Sequence, residues 1–335
     1  MYGFWLTICL AFTAFPTRSL QSGTNKTNPG RAVLPGLNAE PHIMVINDTY
    51  YLYPTQDGER WQQKTMYLWK SKNLINWVRS GDPIMSLDRK RGPGHSPWGS
   101  GKASAPCIFK DEDTWFFYYS GWNDREARVT IGAAAAREPE GPFAGVPNAM
   151  ITGHERTRLN YAENMDPMVF QSPEDGQKYL FWGNGKSLRV KFNSDMITVD
   201  FDSIEENYGL LGYSGSPFIF QRYHIYHMVY SVGDPRGVDY SVGYATAPFP
   251  DGPWQFRYIV LEKNEAKGIV GTGSPSVVNT PGTDDWYMAY HRFAIPHGDG
   301  YNREVVIDRM EFDPKSNLLK PLRPTIDGVI GIATE

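Results

Sequence analysis

The chain has 335 residues, and its 33 Lys plus Arg against 37 Asp plus Glu leave a formal net charge of -4. That balance excludes the basic surface on which nucleic-acid affinity rests. Aromatics at 14%, with 33 Gly and 25 Pro, exclude a helical bundle and a disordered chain, and point to strands joined by many tight turns.

The first predicted element is the apolar run Phe4 to Phe15, too short to span a bilayer and the length of a signal-peptide core. Residues 1–19 are expected to be a signal peptide, cleaved after Ser19, although only the α-amino group supplies positive charge at its start. The protein is then expected to be secreted and extracellular. The sequons Asn25-Lys26-Thr27 and Asn47-Asp48-Thr49 fit a secreted glycoprotein. Of the two cysteines, Cys9 lies in the apolar run, so the mature chain would keep Cys107 alone and no internal disulfide. Residues 20–34 are polar and rich in Gly and Asn, and read as a flexible lead-in. No later segment is long and apolar enough to span a membrane.

Residues 35–335 read as one repeat architecture. Pro followed by an apolar strand recurs at Pro41, Pro106, Pro167, Pro217 and Pro275, at spacings of 65, 61, 50 and 58. An aromatic strand begins nine to twelve residues after each Pro, at Tyr50, Trp115, Tyr179, Tyr226 and Tyr287. A third strand follows each of these: MYLWKS, VTIGAAAA, LRVKF, YSVGYAT and VVIDRMEF. The run Ile131 to Ala136 is helix-friendly in composition, but its place in the repeat makes it a strand. Turn-rich tails, such as Glu140-Gly141-Pro142-Phe143 and Asp251-Gly252-Pro253-Trp254, leave room for a fourth. Five such units predict an all-β, five-bladed β-propeller. The closing stretch PLRPTIDGVIGIATE is expected to add a strand to an early blade.

Pro has no ladder donor and sits at a strand's first residue or on an edge. Five of them at one place in the repeat mark the mouth of each innermost strand, so the residues just before them should crowd around the axis. These are Glu40, Ala105, Asp166, Ser216 and Ser274. Two carboxylates at a mouth lined by aromatics suit glycoside hydrolysis, which uses one acid on the leaving oxygen and a second carboxylate. The alternative for each acid is structural: accepting backbone N–H groups at a strand start. The 7 His show no metal-ligand spacing, and no GxSxG motif is present.

Three long motifs then show a resemblance. LPGLNAEPHIMVINDTYYLYPTQDG, MDPMVFQSPEDGQKYLFWGNGKSLRV and GTGSPSVVNTPGTDDWYMAYHRFAIPHGDGYNREVVIDRMEF occur in the order of the blades of glycoside hydrolase family 43. The sequence resembles that family over roughly residues 30 to 330. The resemblance implies a five-bladed propeller and inverting hydrolysis of arabinofuranosides, xylosides or galactofuranosides in polysaccharides or oligosaccharides. It assigns Glu40 to the general-base position, where the family has Asp, and Asp166 to the acid that orients the general acid and tunes its pKa. It assigns the general-acid position to Gly215, or with a one-residue slip to Ser214; neither carries a proton donor of suitable pKa. Glu205 or Glu206 would be substitutes, but read as a solvated loop. Arg303 matches an arginine that contacts sugar. Ser104 stands where a tryptophan platform is usual. No cofactor is expected, and a structural calcium ion in the channel would lose a histidine, because Ser274 stands in its place.

Two functions therefore stay open: a secreted glycosidase with an altered acid, or a propeller that has lost hydrolysis and binds a glycan or a protein partner. Glu for Asp shifts a carboxylate by about one bond, and a misplacement on that scale can cost ~100-fold in rate. The test of this mapping is Gly215→Glu, combined with Glu40→Asp: restored activity in the double variant would bear the assignment out. The expected partner is a carbohydrate, with no nucleic acid and no membrane, and the expected state is a monomer.

Overall fold

In the computed structural model, residues 32–153 and 164–329 are described. The expected signal peptide, most of the lead-in with Asn25, and the last six residues lie outside them.

Five antiparallel sheets follow one another along the chain as the blades of a propeller. Blade 1 comprises β1 (Asn38–Ile46) and β2 (Thr49–Gln56), with an outer edge in four short pieces, β3 (Thr65–Met66), β4 (Trp69–Ser71), β5 (Val78–Arg79) and β6 (Met85–Ser86). Blade 2 is β7 (Ser104–Asp111), β8 (Thr114–Asn123), β9 (Arg128–Ala136) and β10 (Ala144–Gly145). Blade 3 is β11 (Met168–Gln171), β12 (Lys178–Trp182), β13 (Leu188–Phe192) and β14 (Val199–Glu206). Blade 4 is β15 (Tyr213–Arg222), β16 (Ile225–Val232), β17 (Ser241–Ala247) and β18 (Gln255–Leu261). Blade 5 is β19 (Gly273–Asn279), β20 (Trp286–Phe293) and β21 (Arg303–Met310). Among the described residues the helical content is one 3-10 turn, Glu265–Lys267.

The alanine run lies in β9 as a strand, paired with the aromatic β8 along its length. The third strand of blade 1 differs from expectation: it breaks at Tyr67-Leu68, and β3 and β4 each pair separately with β2.

Period-2 alternation explains why the second strands are so aromatic. In β8, Trp115, Phe117 and Tyr119 face blade 1, while Phe116 and Tyr118 face blade 3. In β12, Tyr179 and Phe181 face blade 4, while Leu180 and Trp182 face blade 2. Each second strand is thus buried on both faces, and an apolar core fills every space between neighbouring blades.

The ring closes differently from expectation. Val33 and Leu34, at the end of the lead-in, are buried, and the Val33 N–H donates to Val305 O at 2.9 Å, adding an edge to blade 5. The described part of the C-terminal segment, residues 321–329, instead lies against blades 4 and 5. The Leu322 N–H donates to Val260 O at 2.7 Å, Arg292 donates to Thr325 O at 2.8 Å, and Thr325 Oγ1 donates to Asp308 Oδ1 at 2.5 Å. The physical reason is that blade 5 has three strands of its own and so has the free edge that the arriving N-terminal segment meets.

Candidate active site

The five residues that precede the repeat's prolines line one cavity at the axis, as the repeat predicts. All five are held at positive φ: Glu40 at 47°, Ala105 at 46°, Asp166 at 62°, Ser216 at 48° and Ser274 at 50°. For a residue other than Gly this conformation is strained and needs compensation from its surroundings. In blades 1, 2, 4 and 5 a register shift in the innermost ladder falls at the same place. Such bulges re-aim a side chain at the rim of a fold.

The compensation comes from the preceding blade. Thr55 Oγ1, Ser120 Oγ and Ser231 Oγ, at or just beyond the aromatic core of each second strand, accept the N–H of Ala105 (2.8 Å), Asp166 (3.0 Å) and Ser274 (2.9 Å). His291 Nδ1 accepts the N–H of Glu40 at 3.3 Å. Blade 3 has Gly183 at this place and offers no side chain. The Ser216 N–H turns to Asp166 Oδ2 instead, at 2.8 Å. These positions escape sequence reading; the available signal is a hydroxyl or imidazole closing four of the five aromatic strands.

Glu40 is fixed from three directions. Its Oε2 accepts from Thr55 Oγ1 at 2.8 Å and from the Ala105 N–H at 3.0 Å, and its Oε1 accepts from Arg303 Nη1 at 3.2 Å. The Arg303 side chain is 1% exposed, and its Nε donates to Asp57 Oδ2 at 2.7 Å, a carboxylate that is itself fully buried. Burial pushes the Asp57 carboxyl up, against the Arg303 bonds, which draw it down. Trp61 lies over the Arg303 guanidinium at 5.7 Å and packs on Tyr301 at 4.7 Å between ring centroids. Asp57 and Trp61 are additions to the predicted set, in the turn after β2.

Asp166 is half-buried. Its Oδ2 accepts from both the N–H and the Oγ of Ser216, each at 2.8 Å, and Ser216 Oγ meets Ser274 Oγ at 2.9 Å. Burial first, and then the charge of Glu40, push the Asp166 carboxyl up to about 7, against the Ser216 hydrogen bonds. Both acids therefore do what the structural alternative requires, each accepting the N–H of the next blade's pre-proline residue. They also face one another across a single cavity, and one side chain can serve both ends.

Gly215 stands beside Asp166 at a φ of +154°. Ser214 Oγ is buried with no hydrogen-bond partner. Glu205 and Glu206 are not in a loop. They lie on β14, the outermost strand of blade 3, where Glu205 pairs with Arg189 and Glu206 lies 3.7 Å from Lys186. Ser104 begins β7, and Ser274 is buried in the channel wall. His42, inside the channel and tilted against Phe218, is driven by burial down to about 4 and stays neutral. Among the described residues no three His, Cys, Asp or Glu side chains converge as metal ligands, and Ser274 is engaged with Ser216, so the donor set does not fit a channel calcium ion.

A family profile described as "Glycosyl hydrolases family 43" matches residues 28–316. A beta-D-galactofuranosidase, xynD, of Aspergillus niger is 29% identical over 324 residues, covering 93% of this chain and 90% of that protein. A beta-xylosidase of Xylanibacter ruminicola is 24% identical over 328 residues, covering 84% and 95%. The crystal structure of a thermostable family-43 glycoside hydrolase superposes with a TM-score of 0.78 at 22% identity, over 92% of this chain and all of that one, and shares its fold.

Proposed function

Because the chain belongs to glycosyl hydrolases family 43, we propose that it is a secreted glycosidase that cleaves terminal galactofuranosyl or related arabinofuranosyl and xylosyl units with inversion. The observation that carries this reading is the Glu40–Asp166 pair in one channel mouth, with Glu40 accepting a hydrogen bond from Arg303. Inverting hydrolysis needs one carboxylate to take a proton from water and one carboxyl to face the leaving group. The extent of the match to the Aspergillus niger galactofuranosidase puts galactofuranosides first among the substrates. Secretion is supported by the apolar N-terminal run and by the sequon at Asn47, which is exposed in the β1–β2 turn at the end of the blade remote from the channel mouth.

The test is a screen of the purified protein against aryl galactofuranosides, arabinofuranosides and xylosides, with the first-formed anomer read by proton NMR. Turnover to the inverted anomer is expected. Gly215 favours a second reading, a propeller that binds glycan without cleaving it; no turnover on any glycoside, together with a thermal shift on adding oligosaccharide, would establish that reading instead.

A further inference from the structure

We infer that Asp166 itself delivers the proton to the leaving group, from the space that a side chain at position 215 would otherwise fill. This rests on the glycosidase reading and adds to it the identity of the proton donor. A Cβ built on Gly215 would stand 2.5 Å from Asp166 Oδ2 and 3.7 Å from its Cγ. The blade-4 wall is thus already occupied by the blade-3 carboxyl, and a fourth-blade acid has no room to grow there. Among the described residues lining the channel, Glu40 and Asp166 are the two carboxyls.

Their surroundings differ in the way an acid and its base require. Glu40 accepts hydrogen bonds from a guanidinium, a hydroxyl and a backbone N–H. Asp166 receives neutral donors from Ser216 and faces the Glu40 charge, and it keeps a proton to about neutrality. Both Ser216 donors reach Oδ2, so the proton rests on Oδ1. Ser216 Oγ is held in turn by Ser274 Oγ, so two blades fix the orientation of this carboxyl.

In the reaction the Asp166 proton passes to the glycosidic oxygen as the bond from C1 to that oxygen breaks and its electron pair stays on the oxygen. A water oxygen bonds C1 from the opposite face, and its proton goes to Glu40. The products are the free sugar, the released alcohol, anionic Asp166 and protonated Glu40; proton exchange with water resets the pair.

The experiment compares the full-length protein with Asp166→Asn on phenyl and 2,4-dinitrophenyl glycosides of the sugar it accepts. A good leaving group needs little acid help, so Asp166→Asn is expected to slow the phenyl substrate by ~100-fold or more and the dinitrophenyl substrate by less than ~10-fold. The alkaline limb of the wild-type kcat/KM profile, centred near 7, should vanish in the variant. Ser216→Ala removes one donor to the carboxylate and should move that limb to higher pH, a readout that survives if Asp166→Asn folds poorly. Equal loss on both substrates, or an alkaline limb that persists in Asp166→Asn, overturns the assignment while leaving the glycosidase reading intact. A wild-type protein that cleaves neither substrate overturns that reading and this assignment with it.

Discussion

At the scale of single residues, Asp166 couples stability to pH. Its folded pKa is raised, so between about 4 and 7 the folded chain holds a proton that the unfolded chain has released. The stabilising effect of that proton is complete below the unfolded value and is lost as pH rises through the folded one. Asp166→Asn removes the titration. We expect the variant to gain on wild type by about 4 kcal/mol between pH 4 and pH 8, read as the change in their stability difference by urea unfolding; a difference constant with pH would refute the coupling. Gly215 supplies a second prediction. The resemblance makes Gly215→Glu, with Glu40→Asp, the substitution to test, but the structure places the new Cβ against Asp166 Oδ2 on a backbone that disfavours side chains. Gly215→Glu is therefore expected to lower stability by ~1–3 kcal/mol and, by displacing Asp166, to lower kcat/KM by ~10-fold or more. Recovered activity in this variant would mean that Asp166 is free to move aside.

At the scale of elements, the repeated unit is a strand, a bulge and a hydroxyl. The bulge turns a pre-proline side chain toward the axis, and the neighbouring blade's second strand accepts the N–H that the bulge removes from the ladder. Ser231 is buried and bonds the Ser274 N–H, so Ser231→Ala leaves a buried donor unsatisfied. A loss of ~1–3 kcal/mol is expected by denaturant unfolding, against less than ~0.5 kcal/mol for an exposed control such as Ser194→Ala. Equal effects would show that the hydroxyl contributes nothing to the bulge. The strands themselves were legible: the aromatic alternation, the prolines and the spacing are local signals, and β8, β9, β12 and β20 lie where they indicate. The outer edge of blade 1 was not, because its short pieces pair with β2 on both sides of a break that no local pattern marks.

At the scale of the molecule, closure depends on a backbone contact between residues at opposite ends of the chain. Val33 joins β21, while the C-terminal segment braces blades 4 and 5 through Leu322, Arg292 and Asp308. Val33→Pro deletes the donor to Val305 O and is expected to lower the urea midpoint by the equivalent of ~1–3 kcal/mol. Val33→Ala, which keeps the N–H, should cost less; if the two variants unfold alike, the backbone bond is not what seals the ring.

The amino-acid sequence by itself determined the five blades, their all-β character and the five channel-mouth positions. The reason is that prolines at strand starts and period-2 aromatic strands act within a few residues of one another. It also placed Glu40 and Asp166 at equivalent points of blades 1 and 3, and Gly215 one residue before the equivalent Ser216 of blade 4. Only the tertiary structure decided what each of them meets. Arg303 reaches Glu40 across 263 positions of sequence and Asp57 across 246, distances that only ring closure brings to hydrogen-bond range. The contact between Asp166 and the backbone at Gly215 and Ser216 depends on how blades 3 and 4 are packed, and on Gly183 leaving an N–H for the carboxylate to accept. No local pattern carries that information, because each of these contacts joins groups from different blades, and their separation is set by the packing of the apolar cores between the blades.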